Sequence, residues 1–164
     1  MPERLRKKSP IATTTVVIFP NETNDIGTMY GGRLIERMDM IGGICARRFS
    51  GYKAVTASIE DVQFIKPIRQ GDIVEFKSVV IHTGRTSLVI KIKVTKEGYN
   101  EEKIICARAY FVFVAIDKKG KPIEVPKLIA ETKIEKRNQQ IGAEIRKRQA
   151  LEEKRFEIEL KESL

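Results

Sequence analysis

Few side chains in this sequence could do chemistry. Its 164 residues include one histidine, His82, and two cysteines, Cys45 and Cys106. That is too few for a Cys/His zinc centre, and neither cysteine belongs to a CxxC pair, so no metal site is expected. A Ser-His-Asp or Cys-His mechanism would have to use His82. That residue ends a strand-like run, Ile81-His82-Thr83, and reads as a structural or surface histidine. Cys45 and Cys106 fall in apolar patterns and read as buried fillers. Acid–base work is therefore left to carboxylates.

One carboxylate stands apart. On a helical plot of residues 34–49, Leu34, Met38, Ile41, Cys45 and Phe49 form an apolar stripe, and the helix is apolar over most of its circumference. Asp39 falls on the small-residue flank of that stripe, between Gly43 and Ala46. The mid-helix pair Gly42-Gly43 costs roughly 2 kcal/mol in propensity relative to alanine, which implies that a strand or a ligand approaches closely. An aspartate there reads either as a partly desolvated general base or as a helix-edge residue that reaches solvent or an arginine one turn away. Gly31-Gly32 at the helix start would leave backbone N–H groups free to stabilise an oxyanion, or would simply permit a tight turn. Asn24, in the preceding loop, could position a water or a carbonyl, or could cap that loop.

The elements that must hold these residues can be read in order. Residues 1–10 read as a mobile basic arm. Thr13–Phe19 is a β-branched strand stopped by Pro20, and a helix follows from about Arg33 to Phe49, with Gly51 as its stop signal. Four strand-like runs come next, at residues 55–65, 73–81, 87–94 and 104–116, joined by short turns that imply an antiparallel sheet. Residues 127–164 read as one long mixed-charge helix, broken near Gly142. The expectation is an α+β domain over residues 11–126, flanked by the arm and a helical extension. Asp61 and Asp72 read as strand and turn residues.

The net charge of +9 is spread as +3 over residues 1–10, +4 over the middle and +2 over residues 126–164. This diffuse field suits a small polyanion rather than a nucleic acid, whose binders concentrate their charge. No apolar run approaches the ~20 residues of a membrane helix, and no signal peptide is read, so a cytoplasmic protein is expected.

Taken together, Asn24-Asp-Ile-Gly27-Thr-Met-Tyr-Gly31-Gly32 through Asp39 resembles the opening of the hotdog-fold acyl-CoA thioesterases. Val55-Thr-Ala-Ser-Ile-Glu60 through Phe64-Ile-Lys-Pro67, Gly71-Asp72, Gly84-Arg85-Thr86-Ser87 and Phe111 through Asp117 agree, so the resemblance covers residues 12–126. It implies a hotdog fold, with a long helix wrapped by a curved antiparallel sheet of about five strands. It implies hydrolysis of acyl-CoA to fatty acid and CoA, with no cofactor beyond the CoA of the substrate. Asp39 would be the general base or nucleophile, Asn24 would complete the site from the other protomer, and Gly32 would donate to the thioester oxygen. Gly31, Ser58, Arg85, Thr86 and Ser87 would contact substrate. The family implies a homo-oligomer, at least a dimer and a trimer of dimers as a hexamer. The alternatives are an acyl-CoA sensor that binds without cleaving, a nucleic-acid binder and a hotdog hydratase. The last needs a His–acid pair at the helix, and His82 lies in the wrong element.

Overall fold

The computed structural model describes residues 5–162. Its elements in chain order are β1 (Arg6–Lys7), β2 (Ile11–Val17), a 3-10 turn at Pro20–Glu22, α1 (Gly31–Ser50), β3 (Lys53–Phe64), β4 (Ile73–Thr83), β5 (Ser87–Glu97), a second 3-10 turn at Tyr99–Glu101, β6 (Lys103–Ile116), β7 (Lys127–Leu128) and α2 (Lys133–Glu162). Strands β2 to β6 form one antiparallel sheet in the order β2-β4-β5-β6-β3, so β2 and β3 are its edges. The α+β hotdog architecture expected from the sequence is the one observed.

The sheet curls around α1. Leu34, Met38, Ile41, Cys45, Ala46 and Phe49 are all buried, as the apolar stripe requires. The close approach implied by Gly42 is made by a strand and not a ligand: a Cβ there would lie 2.9 Å from the Phe113 ring and 3.2 Å from Ile92. The helix stops at Gly51, whose φ of 79° and N–H bond to the Arg47 carbonyl form a left-handed cap.

Three expectations need correction. Of the arm, residues 1–4 lie outside the described residues, but residues 5–10 are built into the fold. β1 pairs in parallel with β7, Lys7 Nζ donates to the carbonyls of Arg48 (2.8 Å) and Phe49 (3.0 Å), and Ser9 Oγ accepts from Val80 N (2.8 Å). The last helix starts at Lys133 rather than residue 127, because 127–128 are taken by β7. It also runs unbroken through Gly142. There the missing side chain lets α2 press on β4, since a Cβ would overlap that of His82. So α1 fills the inner face of the sheet, and α2 crosses its outer face above Ile81, Val89 and Val112.

Candidate active site

Asp39 sits in the third turn of α1, half-buried, facing the edge strand β3. Its Oδ1 accepts a short hydrogen bond from Thr56 Oγ1. Its Oδ2 has no hydrogen-bond partner among the described residues, so one carboxylate oxygen is anchored and the other can take a proton. Thr56 is a site residue that the sequence reading passed over. Nothing in Val55-Thr-Ala-Ser58 distinguishes it from Ser58 until the strand's register is known.

That register separates the two hydroxyls. Thr56 pairs with Phe113, whose ring lies against Gly42 of α1. A bulge at Ala57 follows, and Ser58 then pairs with Val112, which packs under α2. Directly paired residues point to the same side of a sheet, so Thr56 faces inward and Ser58 outward. Within its own chain Ser58 therefore lies across the sheet from Asp39. Its buried hydroxyl has no hydrogen-bond partner among the described residues.

Asn24 holds its own loop. Its Oδ1 accepts from the backbone N–H groups of Ile26 (3.2 Å) and Thr28 (3.0 Å), and its Nδ2 meets Thr28 Oγ1 at 3.0 Å. The loop is tied to α1 by Glu22, which is nearly buried and pairs with Arg37 while also accepting from Phe19 N (3.1 Å). Burial alone would push the Glu22 carboxyl up. The bonds from Arg37 and Phe19 outweigh it and hold the group below the ordinary carboxylate range.

The helix start is open. Leu34 is the first residue of α1 whose N–H closes a helical bond, to the Tyr30 carbonyl, which leaves the Gly31 and Gly32 N–H groups outside the helical ladder. A Cβ on Gly31 would come within 3.3 Å of the Phe64 ring, whereas Gly32 faces open space. Beside Gly31 lies a cleft of about 340 Å3, lined by Met29, Leu34, Phe64, Ile65 and Ile68 among others.

Arg85, Thr86 and Ser87 lie at the other end of the sheet. Ser87 pairs with Val114 and Lys53 with Ile116, so this turn sits where α1 finishes. Its carbonyls are engaged: Arg85 O accepts from Val125 N (2.9 Å) and Thr86 O from Ala115 N (3.0 Å). Near that end a second cleft, of about 500 Å3, carries the cations Arg47, Lys53 and Lys118. These three come from separate segments, and no motif announced them.

One chain therefore brings Asp39 to Thr56 but not to the helix-start donors. Seven residues of helix separate Asp39 from Gly32, a rise of about 10 Å. His82 is remote from all of them. It lies under α2, where burial, then Arg146, lowers its pKa. Burial pushes the Cys45 thiol up to about 11, and Cys106 is raised for the same reason. Among the described residues no three His, Cys, Asp or Glu side chains are grouped to hold a metal ion. None of their helices is long and apolar enough to cross a membrane.

Known proteins resemble this chain in sequence and in fold. Residues 26–103 match the thioesterase superfamily. An uncharacterised acyl-CoA thioester hydrolase of Bacillus subtilis is 39% identical over 133 residues, covering 80% of this chain and 77% of that one. The structure of an acyl-CoA hydrolase of Staphylococcus aureus, in complex with butyryl-CoA and CoA, superposes with a TM-score of 0.86 at 32% identity, covering 94% of this chain and 98% of that one. Three variants of that enzyme replace an asparagine, an aspartate and a threonine by alanine. Those positions are spaced 15 and 17 residues apart, the spacing of Asn24, Asp39 and Thr56 here. A hexameric thioesterase of Yersinia pestis superposes with a TM-score of 0.67 at 30% identity, covering 74% of this chain and 98% of that one. By sequence and by fold alike, this chain belongs to the thioesterase superfamily and is a hotdog-fold member of it.

Proposed function

We propose that this protein is an acyl-CoA thioesterase that hydrolyses acyl-CoA to a fatty acid and CoA in the cytoplasm, with Asp39 as the general base. The observation that carries the reading is the Thr56–Asp39 hydrogen bond. It fixes one carboxylate oxygen and leaves the other available to a substrate water. A thioester is already activated, so a positioned water, a base and an oxyanion hole suffice, without a further cofactor. Water attacks the thioester carbon as Asp39 takes its proton. The developing oxyanion is held by the Gly32 N–H, with Gly31 beside it. Collapse breaks the C–S bond, and the proton on Asp39 goes to the departing CoA sulfur.

The rise of about 10 Å between Asp39 and Gly32 in one chain favours donors that come from a second copy. Strand β3 supports this. It is an edge with unpaired backbone groups, and Val55, Ile59 and Phe64 stand exposed along it. Pairing two copies antiparallel through β3 sets the start of one α1 opposite the far half of the other. Asn24, Gly31 and Gly32 of one protomer then complete the site around Asp39 of its partner. The turn of Arg85, Thr86 and Ser87, with the nearby Arg47, Lys53 and Lys118, offers cations for the CoA phosphates. The apolar cleft beside Gly31 suits the acyl chain. Ser58, outward-facing in its own chain, would meet substrate only from a neighbouring protomer. A homodimer is the minimal active unit, and three such dimers would make a hexamer like that of the Yersinia relative.

The test is free-thiol release from a chain-length series of acyl-CoAs, wild type beside Asp39→Ala, with CoA binding measured on both. The variant should lose between a hundredfold and ten-thousandfold in turnover, on the order of general-base contributions, while CoA binding persists. Binding without turnover in the wild type would instead identify an acyl-CoA sensor. The buried thiols of Cys45 and Cys106 will not contaminate the assay in the folded protein.

A further inference from the structure

Helix α2 is longer than the sheet it lies on. Its sheet-facing stripe runs through Ile141, Ile145 and Gln149, and its path is marked by three contacts. Asn138 Oδ1 accepts from Lys91 Nζ on β5 (3.2 Å), Gly142 abuts His82 on β4, and Arg148 reaches Asp61 (2.9 Å) and Glu60 (3.5 Å) on β3. The helix thus crosses the outer face and arrives at the free edge β3 near Arg148. Residues 150–162 continue beyond, all of them exposed, over a length of about 20 Å, or some four strand spacings.

The stripe continues along with them. At 100° per residue, Phe156 and Leu160 fall on the same side as Ile145 and Gln149. They are 62% and 49% exposed, which is unusual for the face on which a helix packs. Charge changes along the helix in step. Residues 133–148 carry six bases against two acids, and residues 149–162 carry three bases against five acids. Two such helices laid antiparallel across a twofold axis at β3 would set each acidic half beside the other's basic half. The outer face next to the seam offers apolar surface, since Val55 on β3, paired with Val114, is 47% exposed.

We infer that residues 150–162 form a latch. In the assembly each α2 passes over the β3 seam and seats Phe156 and Leu160 on the outer face of the partner subunit, its acidic end along the partner's basic first half. The inference rests on β3 being the seam between copies, the reading made above.

Sedimentation velocity over a concentration series tests it, on the full chain, on a chain ending at Gln149 and on Phe156→Glu/Leu160→Glu. The full chain should sediment as a dimer or a multiple of one. Both variants should keep a cooperative thermal transition, the truncated chain losing only the helical signal of its deleted residues, and should dissociate at concentrations at least tenfold higher. Unchanged dissociation in both would overturn the latch and leave the β3 seam standing, whereas a monomeric full chain would overturn the seam as well. A shift on truncation alone would overturn the seating of Phe156 and Leu160. Loss of fold in either variant would assign the tail to its own chain and overturn the latch too.

Discussion

The two long helices lie on opposite faces of one sheet and are held there differently. Helix α1, with 20 residues, buries eight of them against the sheet, while Met40 and Ile44 on its far side stay exposed. Helix α2, with 30 residues, buries only Gly142, Ile145 and Gln149. Each large apolar side chain buried on α1 contributes roughly 1.5–3 kcal/mol, so displacing that helix means unfolding the domain. Helix α2 depends on a small cluster around Ile145, the close contact at Gly142 and the exposed Arg148–Asp61 pair, which is worth under about 1 kcal/mol. The inner helix can therefore hold a carboxylate in a defined place, and the outer one can be repositioned without loss of the core.

Substitutions can widen or erase that contrast. The largest effect is expected at the inner face, where Thr56→Ala removes the donor to Asp39. A small misplacement of a catalytic group can cost on the order of a hundredfold, so kcat should fall some ten- to hundredfold, while the melting temperature moves little because the bond is exposed. Thr56→Ser should recover most of that loss, and an equal loss in both would mean that the methyl packing mattered rather than the hydroxyl.

The two tight glycines compare the faces directly. Gly42→Ala forces its Cβ on Phe113 and Ile92 in the core and should cost about 1–3 kcal/mol in global stability, read as a lower denaturant midpoint. Gly142→Ala meets His82 under α2. Because α2 can lift, the midpoint should move little while amide exchange in residues 138–149 accelerates. Equal midpoint shifts would show that both helices belong to one cooperative unit.

The smallest effect is a titration on the outer face. His82 has a lowered pKa in the folded state, so the unfolded chain takes up its proton first as pH falls. Its contribution is complete above the unfolded pKa of about 6.5 and is lost as pH drops through that value towards the folded one. Thermal unfolding between pH 7 and pH 5 should show this decline, and His82→Gln should flatten it. Glu22, on the inner side, has a lowered pKa, so its contribution is lost only as pH falls below the usual carboxylate range.

The inner face was legible in the sequence because burial leaves a periodic mark. The stripe from Leu34 to Phe49, the stop at Gly51 and the strands on either side of short turns all follow from side-chain type and spacing. Asp39 could be picked out as a charge placed among small residues. The register of β3 was not legible. The bulge at Ala57 reverses the parity of the strand, which turns Thr56 inward and Ser58 outward, and no residue type signals it. Gly142 was misread as a break because a helical glycine looks the same whether it weakens a helix or lets it approach a strand. The seven-residue offset of Asp39 from Gly32 is visible in sequence, where only the family resemblance supplies a second chain; the free edge strand β3 is a feature that the sequence did not reveal.

The two-residue clip between β1 and β7 also has a mechanical meaning. Residues 6–7 run beside 127–128, and the same segment sends Lys7 to the last carbonyls of α1. Tension on the leading segment is thereby passed both to the end of the helix that holds Asp39 and to the strand from which α2 departs. A pull or a proteolytic nick near residue 8 would loosen the inner and the outer layer together, although neither helix contains the severed bond.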